Sequence, residues 1–409
     1  MKKALLLLLP CMLAFASCKV HIIPEKPSPD ADLEGEAVDA RALSGFKKLF
    51  VLNEGQMGAG NASLDMLRLS DSNYITGVFR KMNPDVAAGL GDVGNDIAAV
   101  GDELWITVNN SGIVEVLDAK DETEIAAIPV PMPRCLAFDD KYVYVSSWNG
   151  AAAIFGSDWS VDLEKSKNPK GVVYRIDRKT RQLDGSVEVG YQPEGMAVYD
   201  GKLYVANSGG ISSQLPPAYA YDNTLSIIDT KSFSLYSTVE VEVNLKNVYS
   251  DGKGAIYVTS LGNYFDVHTG LYCLMASNPA LVFHIGDGSI IKPEKLHISC
   301  SCICDGTVYC IGTENEFDWN ATRQYNIWSC SINDYTDMKY VLKLFPQTLS
   351  GNPYGMAVLE SHGSHYMVLG DAGDYYNPGT VSCRALDFND GEVYWKVTSG
   401  VCPGHFAVW

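Results

Sequence analysis

Positive charge is scarce in this chain. Lys and Arg number 31 against 49 Asp and Glu, for a formal net charge of −18. No basic cluster offsets that balance, so a polyanion is repelled and nucleic-acid binding is disfavoured. Histidine is sparse as well, with seven in 409 residues. The Gly-x-Ser-x-Gly elbow, the P-loop and the dinucleotide fingerprint are all missing, which removes common signatures of acyl transfer, nucleotide hydrolysis and hydride transfer. Long apolar runs are missing too: the stretch from Ala4 to Phe15 is too short to stand as a permanent membrane-spanning helix. What the chain has in quantity is tyrosine (23) and glycine (37) in a sequence 46% hydrophobic. That mixture points to strands and turns around a sizeable core.

The N-terminus is the most specific local signal. Lys2 and Lys3 precede the short apolar stretch, and Ala16-Ser17-Cys18 follows it. Small residues ahead of a cysteine at that place resemble a bacterial lipobox, so residues 1–17 read as a lipoprotein signal peptide and Cys18 as the lipidated first residue of the mature chain. The alternative is an ordinary secretory signal with an incidental cysteine. Pro24, Pro27, Pro29 and several acids follow, and residues 18–45 read as a lipidated cysteine with a flexible tether. The membrane would then be met through the lipid anchor alone.

From residue 46 to 409 a unit of about 40 to 60 residues repeats, the period of propeller blades. The clearest copy begins Pro193-Glu194-Gly195-Met196-Ala197-Val198, turns at Asp200-Gly201, and continues Leu203-Tyr204-Val205-Ala206-Asn207. After a loop come Leu225-Ser226-Ile227-Ile228-Asp229 and a fourth strand within Ser234 to Val243. Asp-Gly between alternating apolar runs is a hairpin signal, because glycine supplies the positive φ of the turn. Second strands recur at Leu49-Phe50-Val51, Leu104-Trp105-Ile106, Val143-Tyr144-Val145, Ile256-Tyr257-Val258, Val308-Tyr309-Cys310 and Tyr366-Met367-Val368. The first copy lacks its own opening strand, and Pro403-Gly404-His405-Phe406-Ala407-Val408 supplies one at the far end. The expected fold is therefore an all-β, seven-bladed β-propeller whose first blade is closed by the C-terminal strand.

Propeller geometry places the loops after each second strand on the face where the first strands begin. Those loops are long and aromatic, carrying Trp148, Phe155 and Trp159, then Tyr219 and Tyr221, Tyr264 and Phe265, Phe317, Trp319 and Tyr325, and Tyr375 and Tyr376. The first-strand starts add polar groups at the channel mouth: Asn95, Asp96, Arg134, Glu194, Asn247, Tyr354 and His405. A concave face with convergent polar groups and aromatic walls fits a bulky small molecule. Trp148, Trp159, Tyr221, Phe265, Trp319 and Tyr375 are the expected contact area. Asn95, Asp96, Arg134, Glu194, Tyr354 and His405 are the expected polar contacts. Aromatics also staple propeller loops to one another, and inner polar groups also bind channel water.

Catalytic and metal chemistry is not evident. Asp96 and Glu194 could serve as an acid/base pair, but without a nucleophile or metal beside them they read as ligand or water contacts. His362 and His365 fall in a Gly/Ser-containing hairpin on the opposite side, with no Cys or acidic partner near in sequence, and read as a solvated turn. Cys300, Cys302 and Cys304 alternate as one face of a strand does; they and Cys310 read as small buried hydrophobes. Cys273, Cys330 and Cys383 occupy matching third-strand positions. No cofactor, metal or catalytic residue is assigned.

Phe50-Val51-Leu52-Asn53-Glu54-Gly55 with Asn61-Ala62-Ser63-Leu64, Gly91-Asp92-Val93-Gly94-Asn95-Asp96, and Pro193-Glu194-Gly195-Met196-Ala197 resemble the YncE-like propeller lipoproteins of Gram-negative bacteria. The resemblance covers roughly Phe46 to Trp409. Among those proteins are the BtuG-type surface lipoproteins, which bind cobalamin and pass it to a TonB-dependent outer-membrane transporter. The resemblance thus implies a non-enzymatic lipoprotein on the outer membrane, exposed at the cell surface, taking cobalamin (vitamin B12) or a related corrinoid. No short motif carries a site residue across. A surface glycan- or protein-binding scaffold and a metal-dependent lactonase-like enzyme are the alternatives.

Overall fold

A computed structural model describes residues 33–149, 170–209, 221–263, 267–285, 297–313, 325–331, 339–344, 351–386 and 393–409. Seven small antiparallel sheets form a ring, the seven-bladed β-propeller expected from the repeat. Blade 4 shows the plan: Pro193–Tyr199, Lys202–Asn207, Thr224–Asp229 and Ser234–Glu240, hydrogen-bonded in that order from the channel outward. The turn between its first two strands holds Asp200 at φ 46° and Gly201 at φ 70°, the pair of left-handed residues that a tight two-residue hairpin demands. The other innermost strands are Gly94–Val100 in blade 2, Pro133–Phe138 in blade 3, Leu245–Ser250 in blade 5, His297–Cys304 in blade 6 and Pro353–Ser361 in blade 7.

Blade 1 is completed by the C-terminus. Pro403–Val408 pairs antiparallel with Lys48–Asn53, Leu49 opposite Val408 and Phe50 opposite Ala407. The closing strand fits only because its neighbours in blade 7 are glycines. A Cβ on Gly370 would stand 1.9 Å from the Pro403 carbonyl oxygen, and one on Gly355 would stand 1.9 Å from that of Gly404.

Alternation along the strands sends one set of apolar side chains to each neighbouring blade. Seven buried clusters result among the described residues, one per interface. Trp105, Val114 and Val116 of blade 2, for example, meet Val143, Val145 and Ile176 of blade 3. Cys310, Cys273 and Cys330 lie in the cluster between blades 5 and 6, and Cys383 lies between blades 7 and 1. Cys300, Cys302 and Cys304 are half-buried and flank the cluster between blades 6 and 7.

One boundary differs from the sequence reading. Residues 36–43, read as tether, belong to the folded body. Glu36–Ala37 adds a fifth strand at the outer edge of blade 1 through pairing with Asn73 and Tyr74. A short 3-10 turn, Ala40–Leu43, buries Ala40, Ala42 and Leu43 in the seam between blades 7 and 1. Asp39 caps that turn by accepting the Arg41 N–H. The prolines upstream dominate the composition of the window and conceal this short apolar segment.

Buried carboxylates give the ring a pH dependence. Glu115 of blade 2 is buried, and its Oε2 has no hydrogen-bond partner. Burial first, and then the nearby Glu124, push its carboxyl up to about 8. The folded state therefore keeps a proton that the unfolded chain releases near its ordinary value, so this group stabilises at low pH and its contribution is lost as pH rises. Thermal melts of Glu115→Gln should gain on the parent steadily between about pH 5 and 8. A difference that does not vary with pH would contradict this assignment.

Candidate functional site

The channel mouth is built by one backbone irregularity repeated seven times. Near the start of each innermost strand the pairing with the second strand skips, between Gly94 and Asp96, Pro133 and Leu136, Pro193 and Met196, Leu245 and Val248, Ile298 and Cys300, Pro353 and Gly355, and Pro403 and His405. Such a bulge re-aims the unpaired side chain. The skipped positions include Asn95, Arg134, Glu194, Lys246, Ser299, Tyr354 and Gly404, one per blade. All but Glu194 line a cavity of about 970 Å³, which Asp96, Asn247, His405, Tyr375 and Glu54 also line.

Glu194 is the electrostatic centre of the mouth. Its Oε2 accepts hydrogen bonds from Arg134 Nη2 at 3.0 Å and Nε at 3.2 Å, and from Lys246 Nζ at 2.9 Å. Its side chain is 4% exposed, against 12% for Arg134 and 34% for Lys246. Burial alone pushes the carboxyl up, but the two cations outweigh it and hold Glu194 below the usual carboxylate range. Arg134 also donates to Asn95 Oδ1, so blades 2, 3, 4 and 5 are tied in one chain of polar contacts.

The rest of the ring is joined differently. Asp96 Oδ2 accepts the Leu136 N–H at 2.8 Å, and burial pushes its carboxyl up to about 6. His405 Nδ1 is 3.7 Å from Asp96 Oδ1. Burial, reinforced by the Lys246 and Arg134 charges, holds His405 down at about 3, so at neutral pH this is a neutral imidazole beside a carboxylate. Asn247 donates to Ser301 Oγ at 3.1 Å, joining blades 5 and 6. Tyr354 of blade 7 donates to Glu54 of blade 1.

Two expected aromatics stand against this ring. The Arg134 guanidinium lies 4.2 Å from the centroid of the Trp148 ring, a cation–π contact that ties the indole to a member of the ring, although Trp148 itself does not line the cavity. Tyr375 meets Tyr354 edge-on with centroids 5.9 Å apart, and it is 43% exposed. Tyr221 is half-buried on its loop. Trp159, Phe265 and Trp319, like Cys18, lie outside the described residues. Tyr325, a loop residue by the sequence pattern, opens the buried strand Tyr325–Ser331 and lines the cavity from there.

Asn95, Asp96, Arg134, Tyr354, Tyr375 and His405 are thus gathered at one cavity, with Glu194 behind Arg134 and Lys246. The acid/base reading of Asp96 and Glu194 finds Glu194 committed to two cations. Lys246 and Glu54 escaped the sequence reading. Lys246 stands at the position that Arg134 and Glu194 occupy in their blades, so aligning the blade starts would have found it. Glu54 lies just past a second strand and had no such signal. Of the two hairpin histidines, His362 bonds Ser44 Oγ at 3.0 Å, while His365 lies 3.8 Å from Asp305 of blade 6. The acidic neighbour of His365 comes from the adjacent blade.

Comparison with known proteins supports the fold. No family model and no curated protein matches the chain. Solved structures that resemble it include Kuenenia stuttgartiensis hydrazine synthase (16% identity, TM-score 0.57, 76% of this chain and 88% of that one). A functionally unknown protein from Desulfotomaculum acetoxidans aligns at 11% identity and TM-score 0.56, over 88% and 98% of the two chains. A hypothetical selenium-binding protein from Sulfolobus tokodaii aligns at 10% identity and TM-score 0.60, over 93% and 96%. At these identities the likeness is one of fold, and the class it supports is a β-propeller scaffold.

Removing Glu194 would leave the buried Arg134 cation and the partly exposed Lys246 without their shared counter-charge. Glu194→Gln should destabilise the ring by about 3 kcal/mol or more, read as a fall in urea midpoint at unchanged m. A loss under about 0.5 kcal/mol would mean that water screens the cluster.

Proposed function

We propose that this protein is a lipid-anchored surface protein that captures a bulky organic ligand at the channel mouth, a corrinoid such as cobalamin in the first instance, and hands it to a TonB-dependent outer-membrane transporter. The observation that carries the binding part is the sevenfold bulge, which brings a skipped residue from six of the seven blades, Asn95, Arg134, Lys246, Ser299, Tyr354 and Gly404, to a single cavity of about 970 Å³. That volume lies in the range of small-molecule sites. A corrin is a flat apolar macrocycle fringed with amides. It needs aromatic contact for its plane and both donors and acceptors at its edge. Trp148 and Tyr375 offer the first; Arg134, Lys246, Asn95 and Asp96 offer the second. The ring carries charges of both signs, which suits a ligand with little net charge. The family resemblance supports the corrinoid and the transporter, and the lipobox-like Ala16-Ser17-Cys18 supports the anchor.

Two experiments test this. Calorimetry of the lipid-free chain beginning after Cys18, titrated with cyanocobalamin and cobinamide, should show one saturable site tighter than about 1 μM. The Trp148→Ala, Tyr375→Ala double variant should lose about 10-fold or more. Absence of heat from either corrinoid would end the vitamin reading, and an unaltered double variant would move the site elsewhere. In cells, Cys18→Ser should abolish palmitate incorporation and release the protein from the membrane fraction. Retention of the label would refute the anchor.

A further inference from the structure

On the face away from the channel mouth, the first hairpins of blades 6 and 7 stand side by side. They bring together three donors of different chemistry. The Cys304 sulfur, an Asp305 carboxylate oxygen and a ring nitrogen of His365 all lie within 4.8 Å of one another. His365 Nε2 is 3.8 Å from Asp305 Oδ2. We propose that Cys304, Asp305 and His365 form a zinc site that pins blade 6 to blade 7.

The geometry is close to what zinc needs. Bonds of about 2.0 to 2.3 Å in a tetrahedron put donor atoms about 3.3 to 3.7 Å apart, so rotamer adjustments on the order of an ångström close the set. The donors sit on stiff supports. Asp305 and Gly306 form a tight turn at φ 48° and 73°, and His362 and Gly363 form its counterpart at φ 52° and 78°. Leu386 N–H holds the His365 carbonyl at 2.9 Å, and the Tyr309 ring lies 6.3 Å from the imidazole.

The donor set selects the metal. A thiolate with an imidazole and one carboxylate favours a borderline-soft ion over Ca²⁺ or Mg²⁺, which take oxygen. Asp305 has 70% of its side chain exposed, which leaves an entry path and a fourth position for water. On binding, the Cys304 thiol gives its proton to solvent, and the zinc–sulfur bond takes its place. Sequence reading missed this arrangement because Cys304 and His365 are about 60 residues apart in different blades.

The test uses the reduced, metal-stripped, lipid-free chain. Zn²⁺ titration against a competing chelator should give one equivalent bound. Cys304→Ser and His365→Ala should each weaken it about 100-fold or more, beyond the effect of losing a group outside the ligands. Asp305→Asn, on an exposed turn, keeps the fold and should weaken binding as well. The Co²⁺ adduct should show a thiolate charge-transfer band in the parent and in Cys302→Ser but not in Cys304→Ser. A folded parent that takes up no Zn²⁺, or affinity equal in the parent, Cys304→Ser and Asp305→Asn, would overturn the site. Because it lies opposite the mouth, neither result bears on corrinoid capture.

Discussion

The pairing of Pro403–Val408 with Lys48–Asn53 is the constraint on which the rest depends. A ring of sheets has no stable partial form at its seam: without the C-terminal strand, blade 1 would present an unpaired inner edge. Closure also composes the channel mouth. His405 reaches Asp96 only from the closing strand, and the Tyr354–Glu54 contact crosses the same seam. Gly355 and Gly370 matter for the same reason, since any side chain there would drive into the closing backbone. Fold and site are therefore completed together, by the strand Pro403–Val408.

Within the closed ring, charge and strand irregularity cooperate. A regular ladder would alternate the side chains of each inner strand between the two adjoining blades, and no polar residue could face the channel without leaving a core position. The skipped residue breaks that alternation once per blade. It supplies an inward-facing position that the interblade packing does not claim. Arg134, Glu194 and Lys246 use three such positions in succession, and their mutual attraction offsets part of their desolvation. The Glu194 carboxylate is central and the cations flank it, so Arg134 and Lys246 face the cavity while Glu194 stays behind them.

The legibility of this structure follows the range of each interaction. The blade repeat, the Asp200-Gly201 hairpin and the displaced first strand were readable because each is a local pattern or a simple count of strands. Arg134 and Glu194 were readable because their blade starts carry Pro next to the key residue. Lys246 was not, since Leu245-Lys246-Asn247 lacks that proline and the neighbouring Asn247 looked the better candidate. The Ala40–Leu43 turn was hidden because its apolar face spans only a few residues among acids. The Asp305–His365 approach depends on which blades are neighbours and in what register their hairpins end. Those relations exist only after the ring is assembled.

The two ends of the folded chain lie on opposite sides of blade 1. Pro403–Val408 is its innermost strand, and Glu36–Ala37 is its outermost. Any pull on the chain ahead of Leu33 is thus delivered to the rim. It first meets a ladder of two residue pairs, which opens by peeling, and next the small Ala40–Leu43 plug in the seam. The closing strand lies at the opposite, inner edge of that sheet, where the Trp409 carbonyl accepts from the Lys47 and Lys48 N–H groups. Under tension the molecule lengthens at its outer edge while the closed ring, and the mouth within it, keeps its shape.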